Sequence, residues 1–368
     1  MMNKNESRLQ ILDLSRFIAA IMVVFYHYTF NGILNGKISS ITQLPTISGV
    51  TKYGFLGVEL FFMISGYVIL ISAKKGSPLA FAKSRATRLY PAYWAGLILT
   101  SCFASVLGGE MMGVDLKTVI INLSMLQSFI GVEHVDGVYW TLVYEIKFYA
   151  IVFAALLFSN IFTIERFILA WALLIDVFAY FGLNAPSFLG GYFAYFIAGA
   201  LLSIYSSTKS KGVLILIALS MYPCMKHTLF ITTGLAAKTT INYNSIVICS
   251  IIAIYFVLFF LQGITSLRKL TIPKSYLMGA LTYPIYLIHA HIGYMLMSRY
   301  ANEDNYALVC SLVMMFVITM AYLMNLIVER RMRNIWINVF SYFLTKPVKA
   351  IDSATKALTN KIFRMSRA

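Results

Sequence analysis

From Gln10 to Val328 the chain is a succession of apolar stretches, each about 17–23 residues long, divided by more polar segments, alternate ones of which hold most of the lysine and arginine. Such a stretch, coiled as a helix, covers the roughly 30 Å of a bilayer's hydrocarbon core. An open sheet is excluded there, because lipid offers no partner to an unpaired backbone group. We read about ten such stretches, near residues 10–30, 54–73, 89–108, 139–159, 167–183, 189–206, 212–230, 245–263, 277–297 and 306–328. Composition agrees: 60% of the residues are hydrophobic and 12% charged, against about 25% charged in a soluble domain. The expected fold is an all-α membrane protein of about ten transmembrane helices.

The net charge of +16 would in other settings point to nucleic acid. Here the basic residues cluster in every other segment between the spans, hence on one side of the membrane, which is the positive-inside pattern. With both termini cytoplasmic, the inner segments hold Lys4, Arg8, Lys74, Lys75, Lys83, Arg85, Arg88, Arg166, Lys209, Lys211, Arg268, Lys269, Lys274 and the C-terminal tail. That places 22 of the 30 Lys and Arg residues inside and six outside, leaving Arg16 and Lys147 within spans. No nucleic-acid partner is expected.

The first apolar run is not read as a cleaved signal. Asp13 and Arg16 interrupt it and no A-x-A-like cleavage site follows. Residues 1–333 are expected to form one membrane domain and residues 334–368 a basic cytoplasmic tail, on the anionic membrane surface or disordered. "TVIINLSMLQSFI" in the outer segment 109–138 is short for a span and reads as re-entrant or interfacial. Pro223, Lys226 and His227 imply a kinked or shortened seventh span. The four cysteines, Cys102, Cys224, Cys249 and Cys310, lack CxxC spacing and read as packing residues, with no zinc site.

Ionisable residues inside spans are costly and must face protein or water. Arg16 and His27 are eleven residues apart, about 20° past three full turns, so they share one helix face about 16 Å apart. Glu59, Glu145 and His289 lie on other spans at the depth of His27, in the outer half. Arg85 and Arg88, at i and i+3, share a face at the inner start of the third span. Guanidinium groups match phosphate bidentately, so these arginines read as a site for coenzyme A or a lipid phosphate; the blander reading is flanking positive charge. His27, held by Glu59 or Glu145, could accept a hydroxyl proton; alone it would read as a hydrogen-bonded structural histidine. Gly54, Gly57 and Gly66 suit close helix packing.

Arg16-x10-His27, "GVELFFMISGY" (57–67), "RATRLYP" (85–91), "YWTLVYE" (139–145) and "LTYPIYLIH" (281–289) occur in order. Together they resemble the acyltransferase-3 family of bacterial integral-membrane acyltransferases, over residues of about 9 to 330. The resemblance implies transfer of an acetyl group from cytoplasmic acetyl-CoA to a hydroxyl of a surface polysaccharide, such as O-antigen or exopolysaccharide, or of its lipid-linked precursor. It also implies a location in the bacterial inner membrane. Carried over by position, His27, Glu59, Glu145 and His289 are the expected catalytic residues, and Arg16, Arg85 and Arg88 the expected acetyl-CoA-binding residues. No metal is implied. Glu59 stands where the family commonly has Asp, and Ala-His follows His289 where Trp-x-Pro is frequent. The rivals are a transporter or flippase of a lipid-linked or proton-coupled substrate, whose proton relays also use buried Glu and His, and a non-catalytic scaffold.

Overall fold

The computed structural model describes residues 10–74, 76–239, 241–262 and 272–365. Lys4, Arg8, Lys75, Arg268 and Lys269, counted above among the inner charges, lie outside the described residues. All regular structure among the described residues is helical. Among the described residues six helices are long and apolar enough to cross a membrane: Gln10–Leu34, Ser48–Lys74, Pro78–Leu107, Gly137–Leu157, Lys211–Ala237 and Tyr306–Arg331. Phe193–Thr208 and Ser245–Leu261 are apolar but shorter. The chain has the build of a multi-pass membrane protein.

The helices used below are α1 (Gln10–Tyr26), α2 (Gly57–Lys74), α3 (Pro78–Leu107), α4 (Trp140–Leu157), α5 (Ile164–Tyr180), α6 (Phe193–Thr208), α7 (Lys211–Thr239), α8 (Ser245–Gln262), α9 (Ser275–Ile288), α10 (Ala290–Tyr300), α11 (Tyr306–Met324) and α12 (Arg333–Met365). The chain divides into two compact units. One comprises Met1–Phe61, Ala92–Thr141 and Thr228–Leu326; the other comprises Phe62–Pro91, Leu142–His227 and Ile327–Ala368.

In the first unit, α1 buries Leu12, Ser15, Ala19, Ala20, Val23 and Val24, a three- and four-residue spacing that makes one helical face. Its main neighbours are α9 and the 3-10 turn Lys52–Leu56, with α8 also in contact. Gly57 is needed for this approach, since a Cβ there would lie 2.6 Å from the Ala19 carbonyl oxygen. After α1 the chain widens into a π-helical turn, His27–Asn31, closed by the Gly32 amide donating to the His27 carbonyl. α9 and α10 are consecutive and break only at His289; α11 packs on both.

The segment "TVIINLSMLQSFI" becomes a short helix, Leu116–Asn122, and a 3-10 turn, Gln127–Ile130. Seven residues of helix rise only about 10 Å, so neither piece crosses a bilayer. Asp115 caps the helix through the Thr118 amide. Asn122, fully buried, is tied to the Thr118 and Glu133 carbonyls and to the Val135 amide. Tyr93 and Trp94 of α3 donate to the carbonyls of Asn122 and Leu123. Leu116, Ile120, Phe129 and Ile130 are exposed, as befits an apolar segment facing lipid.

In the second unit, Phe148 of α4 stacks on Phe196 of α6, with ring centroids 4.4 Å apart. α2 and α6 meet at reciprocal glycines: a Cβ on Gly66 would strike the Phe196 carbonyl, and one on Gly199 the Met63 carbonyl. The shortening expected at Pro223 is replaced by one continuous helix of 29 residues, with Pro223 inside it. Proline removes the amide that would reach the carbonyl four residues back, and here that carbonyl, of Leu219, accepts from the Tyr180 hydroxyl instead. Residues set apart as a tail form α12, where Phe340, Val348 and Thr359 are buried. Asn160 donates to Thr359 at 2.6 Å.

Gly66→Val should destabilise the solubilised protein by about 3 kcal/mol or more, because the obstacle is backbone and cannot repack. Gly234→Ala, in open space within α7, is the matched control and should be neutral or slightly stabilising. Thermal unfolding in detergent monitored by size-exclusion fluorescence measures both; equal midpoints for the two variants would contradict the close approach.

Candidate active site

His27 stands at the first position of the π-helical turn, in a kind of wide turn that often marks a functional position. Its Nδ1 and the Tyr294 hydroxyl of α10 are hydrogen-bonded. Asn31 lies beside both: its Nδ2 donates to the Tyr294 oxygen at 3.0 Å and approaches His27 Nδ1 at 3.4 Å. The Asn31 carbonyl oxygen in turn accepts from the Tyr26 hydroxyl at 3.3 Å, which fixes the way the amide points. The Tyr294 ring sits directly over Gly32, so close that a Cβ there would collide with it.

His289, at the break between α9 and α10, presents its ring to His27, with centroids 5.0 Å apart and planes at 67°. It is fully buried. Its Nδ1 is 2.8 Å from the Tyr286 carbonyl oxygen, and its Nε2 is buried with no hydrogen-bond partner among the described residues. Tyr28 donates to the His289 carbonyl at 2.9 Å. Its ring occupies the space a Cβ on Gly293 would need. His27 and His289, two of the residues singled out in the sequence, are thus adjacent.

Next to them is a polar cluster the sequence reading missed. Lys37 Nζ lies 2.9 Å from His291 Nε2 and 5.8 Å from the centre of the Tyr294 ring. Asp136, fully buried, accepts from the His291 amide at 2.9 Å and the Val138 amide at 3.2 Å. Lys37 belongs to the loop after the first span; desolvation holds its amine below the ordinary lysine range, opposed by the charges of Asp136 and Glu133.

The remaining expected residues are placed differently. Arg16 pairs with Asp13 at 3.7 Å, one turn away on α1. Glu59, in the first turn of α2, is 1% exposed and its Oε2 has no hydrogen-bond partner among the described residues. The role expected of a carboxylate beside His27 falls instead to Tyr294 and Asn31. In the second unit Glu145 accepts from Ser65 at 3.0 Å and from Tyr149. The Arg85 guanidinium lies over the Tyr149 ring, 5.8 Å from its centre. Arg85 Nη2 donates to Ser84 Oγ, and its Nε is buried without a partner among the described residues. Arg88 forms an ion pair with Glu329 at 2.9 Å. Among the described residues no group of three or more His, Cys, Asp or Glu is placed to hold a metal ion, and all four cysteines are free thiols.

NMR titration of the reductively methylated protein should show Lys37 losing its proton below the ordinary lysine range. Asp136→Asn should lower that midpoint further, since the Asp136 charge raises it. An ordinary midpoint, unmoved by the substitution, would sink the description of this cluster.

The acyltransferase-3 family model, described as an acyltransferase domain, matches residues 9–326. Neither the curated proteins nor the solved structures gave a match. The matched region contains His27, His289, Glu59, Glu145 and the arginines Arg16, Arg85 and Arg88. The chain belongs to the acyltransferase-3 family and is an acyltransferase.

Proposed function

We propose that the protein is a membrane O-acetyltransferase, moving an acetyl group from cytoplasmic acetyl-CoA to a hydroxyl of a cell-surface polysaccharide or its lipid-linked precursor. The observation that carries this reading is the pair His27 and His289, the second fully buried, whose rings adjoin in a chain of an acyltransferase family. Moving an acyl group from a thioester to a hydroxyl needs a base for the hydroxyl proton and a donor for the developing oxyanion. Two imidazoles at van der Waals range supply both. We place the protein in the bacterial inner membrane with about ten crossings and cytoplasmic termini, the positive-inside count being the support. α12 then lies on the cytoplasmic side, against membrane lipids.

Arg85 and Arg88 are the residues for the phosphates of acetyl-CoA. Arg85 suits an anion because its Nε is buried and unmatched, a state that costs about 1–3 kcal/mol until a partner arrives. Arg88 already holds a carboxylate, that of Glu329, so an arriving phosphate competes with it. Arg16 and Glu145 support this reading less directly: Arg16 shares α1 with His27, and Glu145 anchors the Tyr149 ring beneath Arg85.

Arg88→Lys keeps the charge and loses the fork, so acetyl-CoA binding measured calorimetrically in nanodiscs should weaken by about tenfold. Glu329→Gln should strengthen it; unchanged affinity in both variants would remove the arginines from the proposal.

The overall reading is tested by mass spectrometry of surface polysaccharide from cells expressing wild type or His27→Ala at matched membrane levels. Polysaccharide gaining the mass of an acetyl group with wild type, and losing it with the variant, is the expected result. Purified wild-type protein that leaves labelled acetyl-CoA intact in the presence of that polysaccharide would overturn it.

A further inference from the structure

The hydrogen bonds around the two histidines assign a different proton position to each. Asn31 is oriented by the Tyr26 hydroxyl on its carbonyl oxygen, so its amide hydrogens point at Tyr294 and His27. The Tyr294 oxygen therefore accepts from Asn31, and the Tyr294 proton goes to His27 Nδ1, the acceptor it touches. Two donors converge on that nitrogen. In a neutral imidazole an accepting Nδ1 means that the proton is on Nε2. His289 is the mirror case. Its Nδ1 faces the Tyr286 carbonyl, which can only accept, so the proton is on Nδ1 and the lone pair is on Nε2. That Nε2 is the buried atom left without a partner.

We infer that the two histidines divide the reaction: His289 Nε2 is the general base, and His27 Nε2–H is the hydrogen-bond donor that stabilises the oxyanion. The inference rests on the acyl-transfer reading above and shifts the proton-accepting role expected of His27 to its neighbour. The acceptor hydroxyl oxygen bonds to the acyl carbon while its proton passes to His289 Nε2. The former carbonyl oxygen, now negative, accepts from His27 Nε2–H. The carbon–sulfur bond then breaks and His289 returns its proton to the departing thiolate, leaving both imidazoles neutral. Tyr294, Asn31 and Tyr26 are positioning residues: they keep the His27 proton on the nitrogen that faces away from them.

Nitrogen NMR of full-length protein labelled with 15N-histidine, in nanodiscs without substrate, reads the tautomers directly. His27→Gln and His289→Gln spectra assign the signals. The expected result is a non-protonated Nδ1 for His27 and a protonated Nδ1 for His289; a proton on His27 Nδ1 or on His289 Nε2 overturns the inference. Tyr294→Phe should let the His27 proton redistribute between its two nitrogens.

Thiol release from acetyl-CoA, assayed in native membranes that contain the polysaccharide acceptor, gives the second readout. Glutamine retains an N–H but has no basic lone pair. His27→Gln should therefore lose roughly 10- to 100-fold, and His289→Gln roughly 1,000-fold or more. The opposite order overturns the division of roles. Wild-type membranes that release no thiol would sink the acetyltransferase reading instead, with the tautomers still deciding the proton positions.

Discussion

Lipid accepts and donates no hydrogen bonds, and the architecture follows from that one constraint. A regular helix satisfies its own backbone, so the demand falls on every irregularity. The carbonyl freed by Pro223 is met by the Tyr180 hydroxyl. The carbonyl of Ala179, at the end of α5, is met by the Lys226 ammonium at 2.7 Å. Where α9 gives way to α10, Tyr28 reaches the His289 carbonyl. Tyr195 does the same for Cys224 at 2.8 Å. In each case phenylalanine or an alkyl chain would fill much the same space and leave a carbonyl short of a donor. The 24 tyrosines of the chain are in this sense as much part of the backbone hydrogen bonding as of the packing.

Against that background the polar atoms left unmatched are informative. His289 Nε2, Arg85 Nε and Glu59 Oε2 are each buried without a partner among the described residues. Each belongs to a side chain that the sequence motifs had singled out. Other buried atoms, among them both oxygens of Asp176 in α5, His227 Nε2 and His291 Nδ1, are left the same way, and nothing in the structure explains them. A fold that supplies a tyrosine for a displaced carbonyl can supply one for an imidazole, as Tyr294 shows for His27. Leaving the neighbouring ring open is therefore a property of the site.

Much of the helical layout was legible because hydrophobic length and positive charge are local signals. The ordered motifs named the family for the same reason. What the sequence could not show is which polar groups meet. Glu59 and Glu145 looked like partners for His27 because carboxylates commonly orient imidazoles. Tyr294, 267 residues away, does this instead, and a tyrosine in an apolar helix carries no visible mark among so many. Asn31 was closer to discovery: it lies four residues after His27, a spacing that puts two side chains on one helical face. Lys37 and Asp136 were not singled out at all, although each is drawn to His291 across a long stretch of sequence. The helix through Pro223 runs longer than its sequence implied for a related reason, since its compensating hydroxyl comes from α5.

A π-helical turn is, in effect, one residue more than an α-helix needs to cover the same rise. Between His27 and Gly32 that surplus residue has an angular use. Removing it would restore a regular helix and rotate everything upstream by about 100° relative to everything downstream, carrying the α1 face of Ala19, Val23 and Val24 out of the core. Substitutions in this stretch can be weighed one side chain at a time; a deletion cannot. The length of the chain from α1 to Gly32 is therefore under tighter constraint than most of its residue identities, and drift here should be tolerated in letters long before it is tolerated in count.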